Sequence, residues 1–135
     1  LRDWLQMTVE DFYDPAKLAI MPMGFCYPGR FERGGDLPPR PECAPTWHDE
    51  LLRHLPDIGL TLLIGQYAQE RYLGPRRAKS MTETVHRFDE YLPDGLLPMP
   101  HPSWRNTGWI KKNPWFEAGL LPVLRDRVHR LLGTN

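Results

Sequence analysis

The sequence predicts a three-layer α/β/α sandwich with a central, mostly parallel, short sheet. Short apolar runs that end in glycine or proline alternate with helical patterns, which is typical of strands buried on both faces of a parallel sheet. The runs are KLAIMPM (17–23), GLTLLIG (59–65) and GLLPMP (95–100). The chain has 135 residues, 41% of them apolar, which is the size of one domain with a single core. We therefore expect residues 1–135 to form one domain.

Two helical patterns lie between these runs, TWHDELLRHL (46–55) and SMTETVHRFDEYL (80–92). Each opens with a hydroxyl residue, Thr46 or Ser80, three positions before an acidic residue. A hydroxyl oxygen at this place accepts a hydrogen bond from a backbone N–H of the first helical turn. We therefore expect Thr46 and Ser80 to be N-caps.

A third helical pattern follows Asn113 and Pro114, residues favoured at an N-cap and at the first helical position. Its apolar residues recur at every fourth position and so share one face. They are Phe116, Leu120, Leu124 and Val128. Pro122 is expected to bend this helix, because proline has no N–H for the helical ladder.

Two loops rich in glycine and proline follow strand candidates. GFCYPGRFERGGDLPPRPEC (24–43) follows the first apolar run, and MPHPSWRNTGW (99–109) overlaps the end of the third. Ligands of parallel sheets bind outside the carboxyl ends of the strands. We therefore expect both loops to share one rim of the sheet.

His101 is the candidate catalytic residue of the second loop. Pro100 and Pro102 restrict the backbone on both sides of it, so the imidazole is held in one direction. A neutral imidazole can donate a hydrogen bond to a developing anion, and an imidazolium can stabilise that anion further. The alternative is a turn histidine packed on Trp104 or Trp109, and composition alone favours this alternative.

The two cysteines, Cys26 and Cys43, lie at the two ends of the first loop, and a shared ligand would hold the loop closed. Two thiolates are an incomplete ligand set for zinc or an iron–sulfur cluster, each of which takes four protein ligands. Two unrelated buried thiols are the alternative. The remaining histidines have no metal-site spacing and are expected on the surface or hydrogen-bonded in the core; they are His48, His54, His86 and His129.

Charge is balanced over the whole chain and uneven along it. Seventeen basic and seventeen acidic residues cancel, so no global field attracts nucleic acid. From residue 101 onward six basic residues stand against Glu117 and Asp126; they are Arg105, Lys111, Lys112, Arg125, Arg127 and Arg130. No apolar run approaches the roughly 20 residues of a membrane span, and no signal peptide opens the sequence. We therefore expect a cytoplasmic protein that does not bind membranes.

Four blocks in order resemble the uracil-DNA glycosylase superfamily, and most closely its bacterial iron–sulfur branch, the family 4 type. They are a strand before GFCYPG, the loop GDLPPRPEC with a cysteine that opens a helix, the strand and turn LTLLIGQYAQ (60–69), and PMPHPSWRN. The resemblance covers residues 12–131. It implies the three-layer fold of that superfamily.

The resemblance also implies a DNA-repair enzyme, a monofunctional glycosylase. Such enzymes flip a deaminated base such as uracil out of the DNA and break its N-glycosidic bond, so that the base leaves as an anion. His101 is then the implied catalytic donor to the uracil O2. The implied DNA-binding residues are Pro102 and Ser103 at phosphates, Trp104, Arg105 and Asn106 in the loop that enters the duplex, and Lys111 and Lys112 at further phosphates.

The base pocket departs from the family pattern. Pro22 occupies the place of the asparagine that reads the edge of uracil in the family, and proline offers neither a side-chain amide nor an N–H. Backbone groups of Met23, Gly24 and Phe25 are the alternative readers of the base. Phe25 or Tyr27 would stack on the flipped base, or be part of the core.

The cofactor pattern is also incomplete. Cys26 and Cys43 match the last two of the four ligands of a 4Fe-4S cluster in that branch, whereas the first cysteine pair and the N-terminal motif have no counterpart in this sequence. Because Leu1 opens within a helical pattern, we expect the domain in this chain to lack its N-terminal strand and motif. A polypeptide that began at Leu1 would then have neither a cluster nor catalytic activity.

Two alternatives to the enzyme remain open. One is a DNA-binding relative that does not release a base or that traps DNA covalently, which Pro22 favours. The other is a truncated, inactive domain with a structural role. For the enzyme we expect a monomer that acts on damaged DNA in the bacterial nucleoid.

Overall fold

A computed structural model describes residues 1–133, apart from the side chain of Trp104. The chain divides into two compact units. The larger, here called the sheet unit, comprises Leu1–Ala19 and Gly59–Asn135, and the smaller, here called the loop unit, comprises Ile20–Ile58.

The sheet of the described residues has two parallel strands, β1 (Thr61–Ile64) and β2 (Leu96–Met99). Thr61 pairs with Leu96, and the register continues to the pair Ile64 and Met99, so both strands end level with each other. Both strands lie within predicted apolar runs. The predicted α/β class with a short parallel sheet is confirmed.

The strand predicted over 17–23 is wrong, because a turn that starts at Asp14 ends there instead. The carbonyl of Asp14 accepts hydrogen bonds from the N–H groups of Lys17 and Leu18, and the Asp14 carboxylate accepts a third from Ala16. Lys17 and Leu18 therefore have no N–H to donate to a neighbouring strand. Ile20 is 70% exposed and Pro22 has no N–H at all, so the run buries little and pairs poorly.

Helices make up most of the remaining regular structure of residues 1–133. In chain order they are α1 (Arg2–Leu5), α2 (Val9–Phe12), α3 (Cys43–Arg53), α4 (Gln66–Leu73), α5 (Met81–His86), α6 (Phe88–Tyr91), α7 (Thr107–Lys112) and α8 (Leu121–Leu132). Single 3₁₀ turns lie at Gly74–Arg76, Leu92–Asp94 and Trp104–Asn106, and a π-helical turn lies at Phe116–Leu120. None of these helices is both long enough and apolar enough to cross a membrane.

One of the two predicted hydroxyl caps is confirmed. The Ser80 hydroxyl accepts a hydrogen bond of 3.1 Å from the N–H of Glu83 and begins α5. Thr46 is not an N-cap, because α3 begins earlier, at Cys43. Pro45 is tolerated in its first turn, where its missing N–H would have no partner in the helix. The Thr46 hydroxyl instead donates to the Glu42 carbonyl at 2.6 Å.

The C-terminal helix confirms the predicted face and corrects the predicted start. Phe116, Leu120 and Leu124 are fully buried and Val128 nearly so. Asn113 is not an N-cap; it ends α7, where its side chain donates to the Trp109 carbonyl at 2.8 Å.

The same helical segment is irregular on the N-terminal side of Pro122. A π-helical turn at Phe116–Leu120 precedes α8, and Pro122 lies in the first turn of α8. Because Pro122 cannot donate to the carbonyl four residues before it, the wider turn accommodates the proline. The irregularity at this place is a π turn, and the predicted bend at Pro122 stays a prediction.

The core of the sheet unit combines helix faces with β2. Its fully or nearly fully buried residues are Leu5, Met7, Val85, Leu97, Met99, Phe116, Leu120, Leu121, Leu124 and Val128. A second cluster of Leu63, Leu73 and Tyr91 packs beside β1. The Tyr91 hydroxyl donates to the Arg76 carbonyl at 2.8 Å, and burial raises the pKa of Tyr91.

Candidate active site and DNA interface

The chain leaves the sheet through β2 and reaches an exposed histidine within two residues. Pro98, Met99 and Pro100 are buried, whereas His101 is exposed. His101 therefore lies just beyond the carboxyl end of a parallel strand, at the kind of edge where ligands of α/β proteins bind.

The turn after His101, residues 101–106, is fixed by hydrogen bonds to its own backbone. The His101 carbonyl accepts one bond of 2.8 Å from the N–H of Ser103 and another from the side-chain amide of Asn106. The Ser103 carbonyl accepts from the N–H of Asn106 at 3.0 Å, and the Ser103 hydroxyl accepts from the N–H of Arg105 at 3.2 Å. These bonds define the path of the backbone while the imidazole stays exposed.

Asn106 thus has a role that the sequence reasoning missed. In addition to its predicted place in the loop that enters the duplex, Asn106 donates its amide to the backbone carbonyl of His101. An asparagine a few residues after a proline-flanked position is a signal for such a turn, because short amides readily bond to nearby backbone groups. The predicted DNA contacts of Pro102, Ser103, Arg105 and Asn106 stay predictions, and the side chain of Trp104 lies outside the described residues.

Trp109 anchors the helix that follows the turn. Its indole N–H donates to the Thr82 hydroxyl at 2.8 Å. Its ring packs edge to face against Trp115 and Phe116, with centroids 5.7 and 5.5 Å apart. His101 is exposed, and the alternative of a turn histidine packed on Trp104 or Trp109 stays open, because the side chain of Trp104 lies outside the described residues.

Lys111 and Lys112 lie exposed in the last turn of α7. Cations at a helix C-terminus are stabilised by the helix dipole, so their position there has a structural explanation besides DNA binding. Their charge nevertheless lies on the helix that follows the His101 turn, and their predicted phosphate contacts stay predictions.

The sequence reasoning also missed Gln69. This side chain is 1% exposed, and its amide donates to the Leu63 carbonyl at 3.1 Å and to the Met99 carbonyl at 3.0 Å. The available signal was its spacing from Leu73, which places a polar residue on the buried face of α4. A buried amide with two backbone partners links the ends of both strands.

The loop unit contains the predicted base-pocket segment, and a buried histidine holds its start. His48 is 1% exposed, and its Nε2–H donates to the Pro22 carbonyl at 2.9 Å. The Phe25 ring lies edge-on to the His48 ring, with centroids 5.9 Å apart. The prediction of a satisfied core histidine is confirmed for His48. The Pro22 carbonyl is engaged by this bond.

The remaining predicted pocket residues have different surroundings within the loop unit. A Cβ atom on Gly24 would lie 3.2 Å from the Cβ of Pro39, so a larger residue would need Pro39 to shift. Tyr27 is exposed, and its hydroxyl donates to the Asp36 carboxylate at 2.9 Å, which raises the pKa of Tyr27. Core packing is therefore wrong for Tyr27, while the pocket roles of Met23, Gly24, Phe25 and Tyr27 stay predictions.

The two cysteines do not form a complete metal site with the described side chains. Cys26 is exposed and Cys43, the first residue of α3, is half-buried, so the alternative of two buried thiols is wrong. Among residues 1–133, no group of three or more His, Cys, Asp or Glu side chains could hold a metal ion. A 4Fe-4S cluster takes four cysteines and this sequence has two, so its residues do not fit that cluster alone.

We predicted that the two loops share one rim of the sheet because each of them follows a strand, and only one of them does. No strand forms at 17–23, so residues 24–43 do not follow a strand, whereas residues 100–106 do. The two segments also belong to different units. The common rim therefore stays a prediction.

The family of the chain is shown by comparison with known protein families. The model of the uracil DNA glycosylase superfamily matches residues 1–125, which include β1, β2 and the His101 turn. The match concerns the superfamily as a whole, and the iron–sulfur branch stays a prediction. With nearly its whole length matched, the chain belongs to the uracil DNA glycosylase superfamily.

Proposed function

We propose that the protein is a DNA glycosylase that excises uracil or another deaminated base from DNA. The observation that carries the proposal is an exposed histidine, His101, on a hydrogen-bonded turn at the end of β2, in a chain of this superfamily. A glycosylase needs a donor fixed where charge develops, and this turn supports such a donor.

In the proposed reaction the bond between the sugar C1′ and the base nitrogen breaks, and its electron pair leaves with the base. Water supplies a hydroxyl to C1′ and a proton to the departing base. His101 donates a hydrogen bond to the O2 of the base as negative charge accumulates there. One fixed donor of this kind is worth roughly 3 kcal/mol in other enzymes.

The surrounding residues would bind and deform the DNA. The Ser103 hydroxyl accepts from the N–H of Arg105, and its own hydrogen can donate to a phosphate oxygen. The loop of Trp104, Arg105 and Asn106 would enter the duplex where the base has left, while Lys111 and Lys112 neutralise phosphates. In the loop unit, backbone groups at Met23, Gly24 and Phe25 would read the base, with Phe25 or Tyr27 stacked on it.

The test is base release from duplexes that contain uracil, hypoxanthine or xanthine, with an undamaged duplex as the control. The proposal expects release from at least one damaged duplex and none from the control. DNA binding is measured on the same preparation by gel shift. Binding without base release from any duplex would overturn the proposed glycosylase activity. It would support the second candidate, a DNA-binding relative. Pro22 favours this candidate because it offers no amide to the base.

The two lysines of α7 give a prediction about salt. Lys111→Gln and Lys112→Gln should each reduce the slope of log K against log salt concentration by about 1. Each variant loses one phosphate contact, so its binding releases fewer counterions from the DNA. The measurement is fluorescence anisotropy on labelled duplex DNA at several salt concentrations. Lys17→Gln is the control, since Lys17 is paired with Asp11 and should leave the slope unchanged. Equal slopes for all variants would rule out the phosphate contacts.

The cluster ligands give a separate prediction. If two further ligands complete an iron–sulfur cluster at Cys26 and Cys43, purified protein should contain iron and acid-labile sulfide, and Cys26→Ser or Cys43→Ser should remove both. Elemental analysis and absorbance near 400 nm measure this. Iron-free protein that releases bases at full rate would contradict the assignment. No step of the reaction proposed above depends on the cluster.

A further inference from the structure

The two strand ends on the His101 side of the sheet are held by one buried side chain. Gln69 lies on α4, which begins directly after β1 and the intervening Gly65. Its amide donates to the carbonyls of Leu63 and Met99, one on each strand. The side chain therefore links β1 and β2 where both strands end.

The Met99 carbonyl is held from two directions. It accepts a bond of 2.9 Å from the N–H of Gly65 in addition to the 3.0 Å bond from Gln69. A primary amide has two N–H donors, and Gln69 uses each of them on a backbone carbonyl. Glutamate at this position could not make both bonds, and methionine could make neither.

Met99 is connected to His101 by a single residue, and that residue is restricted. Pro100 is buried and its ring fixes its own φ, while Pro102 restricts the backbone of His101. If the Met99 carbonyl shifts, the His101 imidazole therefore shifts with it by a similar distance. Active-site groups tolerate such shifts poorly, since a misplacement of about 1 Å can lower a rate by about 100-fold.

We propose that Gln69 is a positioning residue for His101, acting through the Met99 carbonyl. This inference rests on the proposed function for its kinetic consequence. Gln69 touches neither DNA nor base in this assignment; it fixes the place from which His101 donates.

The first test compares Gln69→Met with Tyr91→Phe in base-release kinetics, at a temperature where both variants are folded. Tyr91→Phe is matched because it also removes a buried side-chain donor to a backbone carbonyl, that of Arg76. Gln69→Met should lower kcat by about 10- to 100-fold with KM little changed, whereas Tyr91→Phe should keep kcat.

The second test asks whether Gln69 acts through His101. In a His101→Ala background, Gln69→Met should have no further effect on kcat, because the group that it positions is gone. A full additional loss in that background, or an unchanged kcat for Gln69→Met alone, would overturn the inference. A residue that only stabilises the fold would not show this dependence on His101.

A third experiment measures NMR signals rather than catalysis, so it tests this inference separately from the proposed function. The backbone amide signals of Ser103 and Asn106 and the ring signals of His101 should shift in the NMR spectrum of Gln69→Met and stay in place in Tyr91→Phe. If the wild-type protein releases no base, the proposed function fails and these signals alone decide the positioning role. Unshifted signals in Gln69→Met would then overturn it.

Discussion

His101→Ala should lower kcat for base release by about 100- to 1,000-fold, the loss that follows removal of one fixed donor to a developing anion. KM for DNA should change little, because His101 stabilises the leaving base rather than the bound duplex. Single-turnover kinetics on the duplex with the fastest release measures the effect without interference from product dissociation.

The control for this variant is His54→Ala. His54 is exposed and ends α3 in the loop unit, so its loss changes neither the core nor the His101 turn. Its kcat should equal that of the wild-type protein. If His101→Ala also keeps wild-type turnover at saturating DNA, the imidazole does not stabilise the leaving base and the proposed mechanism is wrong.

Phe116→Ala should lower the free energy of unfolding by about 3–5 kcal/mol, as large-to-small changes of buried aromatics do elsewhere. Phe116 is fully buried and packs edge to face against Trp4 and Trp109, with centroids 5.0 and 5.5 Å apart. Its loss opens a cavity where α1, α7 and the π turn meet. Urea denaturation followed by circular dichroism measures the change.

The matched control is Val123→Ala in the first turn of α8. Val123 is 37% exposed, so the change should lower the free energy of unfolding by less than about 1 kcal/mol. Similar losses for the two variants would show that Phe116 does not contribute through burial. Phe116→Leu, which keeps most of the apolar volume, should fall between them.

The regular parts of the fold were predictable because their signals are local. Strands β1 and β2 and the face of Phe116, Leu120, Leu124 and Val128 follow from apolar periodicity, which the structure retains. The prediction of a strand at 17–23 was wrong because apolar periodicity does not reveal which acceptors the backbone N–H groups bind. Asp14 captures the N–H groups of Lys17 and Leu18, and that competition is invisible in a count of apolar residues.

Helix starts were less predictable than helix faces. Thr46 has the spacing of an N-cap, yet α3 starts at Cys43. Pro45 could not distinguish the two starts, because proline is compatible with a first helical turn as well as with a loop. Asn113 likewise has the sequence pattern of a helix start, but in the structure it ends α7. Caps depend on the backbone on both sides of a residue, whereas a face depends only on spacing.

For the candidate site, the sequence identified the residue that would react and missed those that hold it in place. His101 was recognisable from its two prolines, and the structure leaves it exposed. The supports, Gln69 and Asn106, act on backbone carbonyls thirty and five positions away, respectively. Spacing from Leu73 marks Gln69 as buried and the prolines mark Asn106 as a turn residue, but which carbonyl each amide binds is known only from the fold.

The level ending of β1 and β2 sets where this chain can change in length. An extra residue between Met99 and His101 would advance the backbone by about 3.3 Å and turn the imidazole toward the opposite face. In the loop unit, Arg30 and Asp36 form an isolated antiparallel bridge that closes a short loop, and an insertion near Gly34 and Gly35 would leave this pair intact. Relatives should therefore vary in length in the loop that the Arg30–Asp36 bridge closes, and keep a single residue between the strand and the histidine.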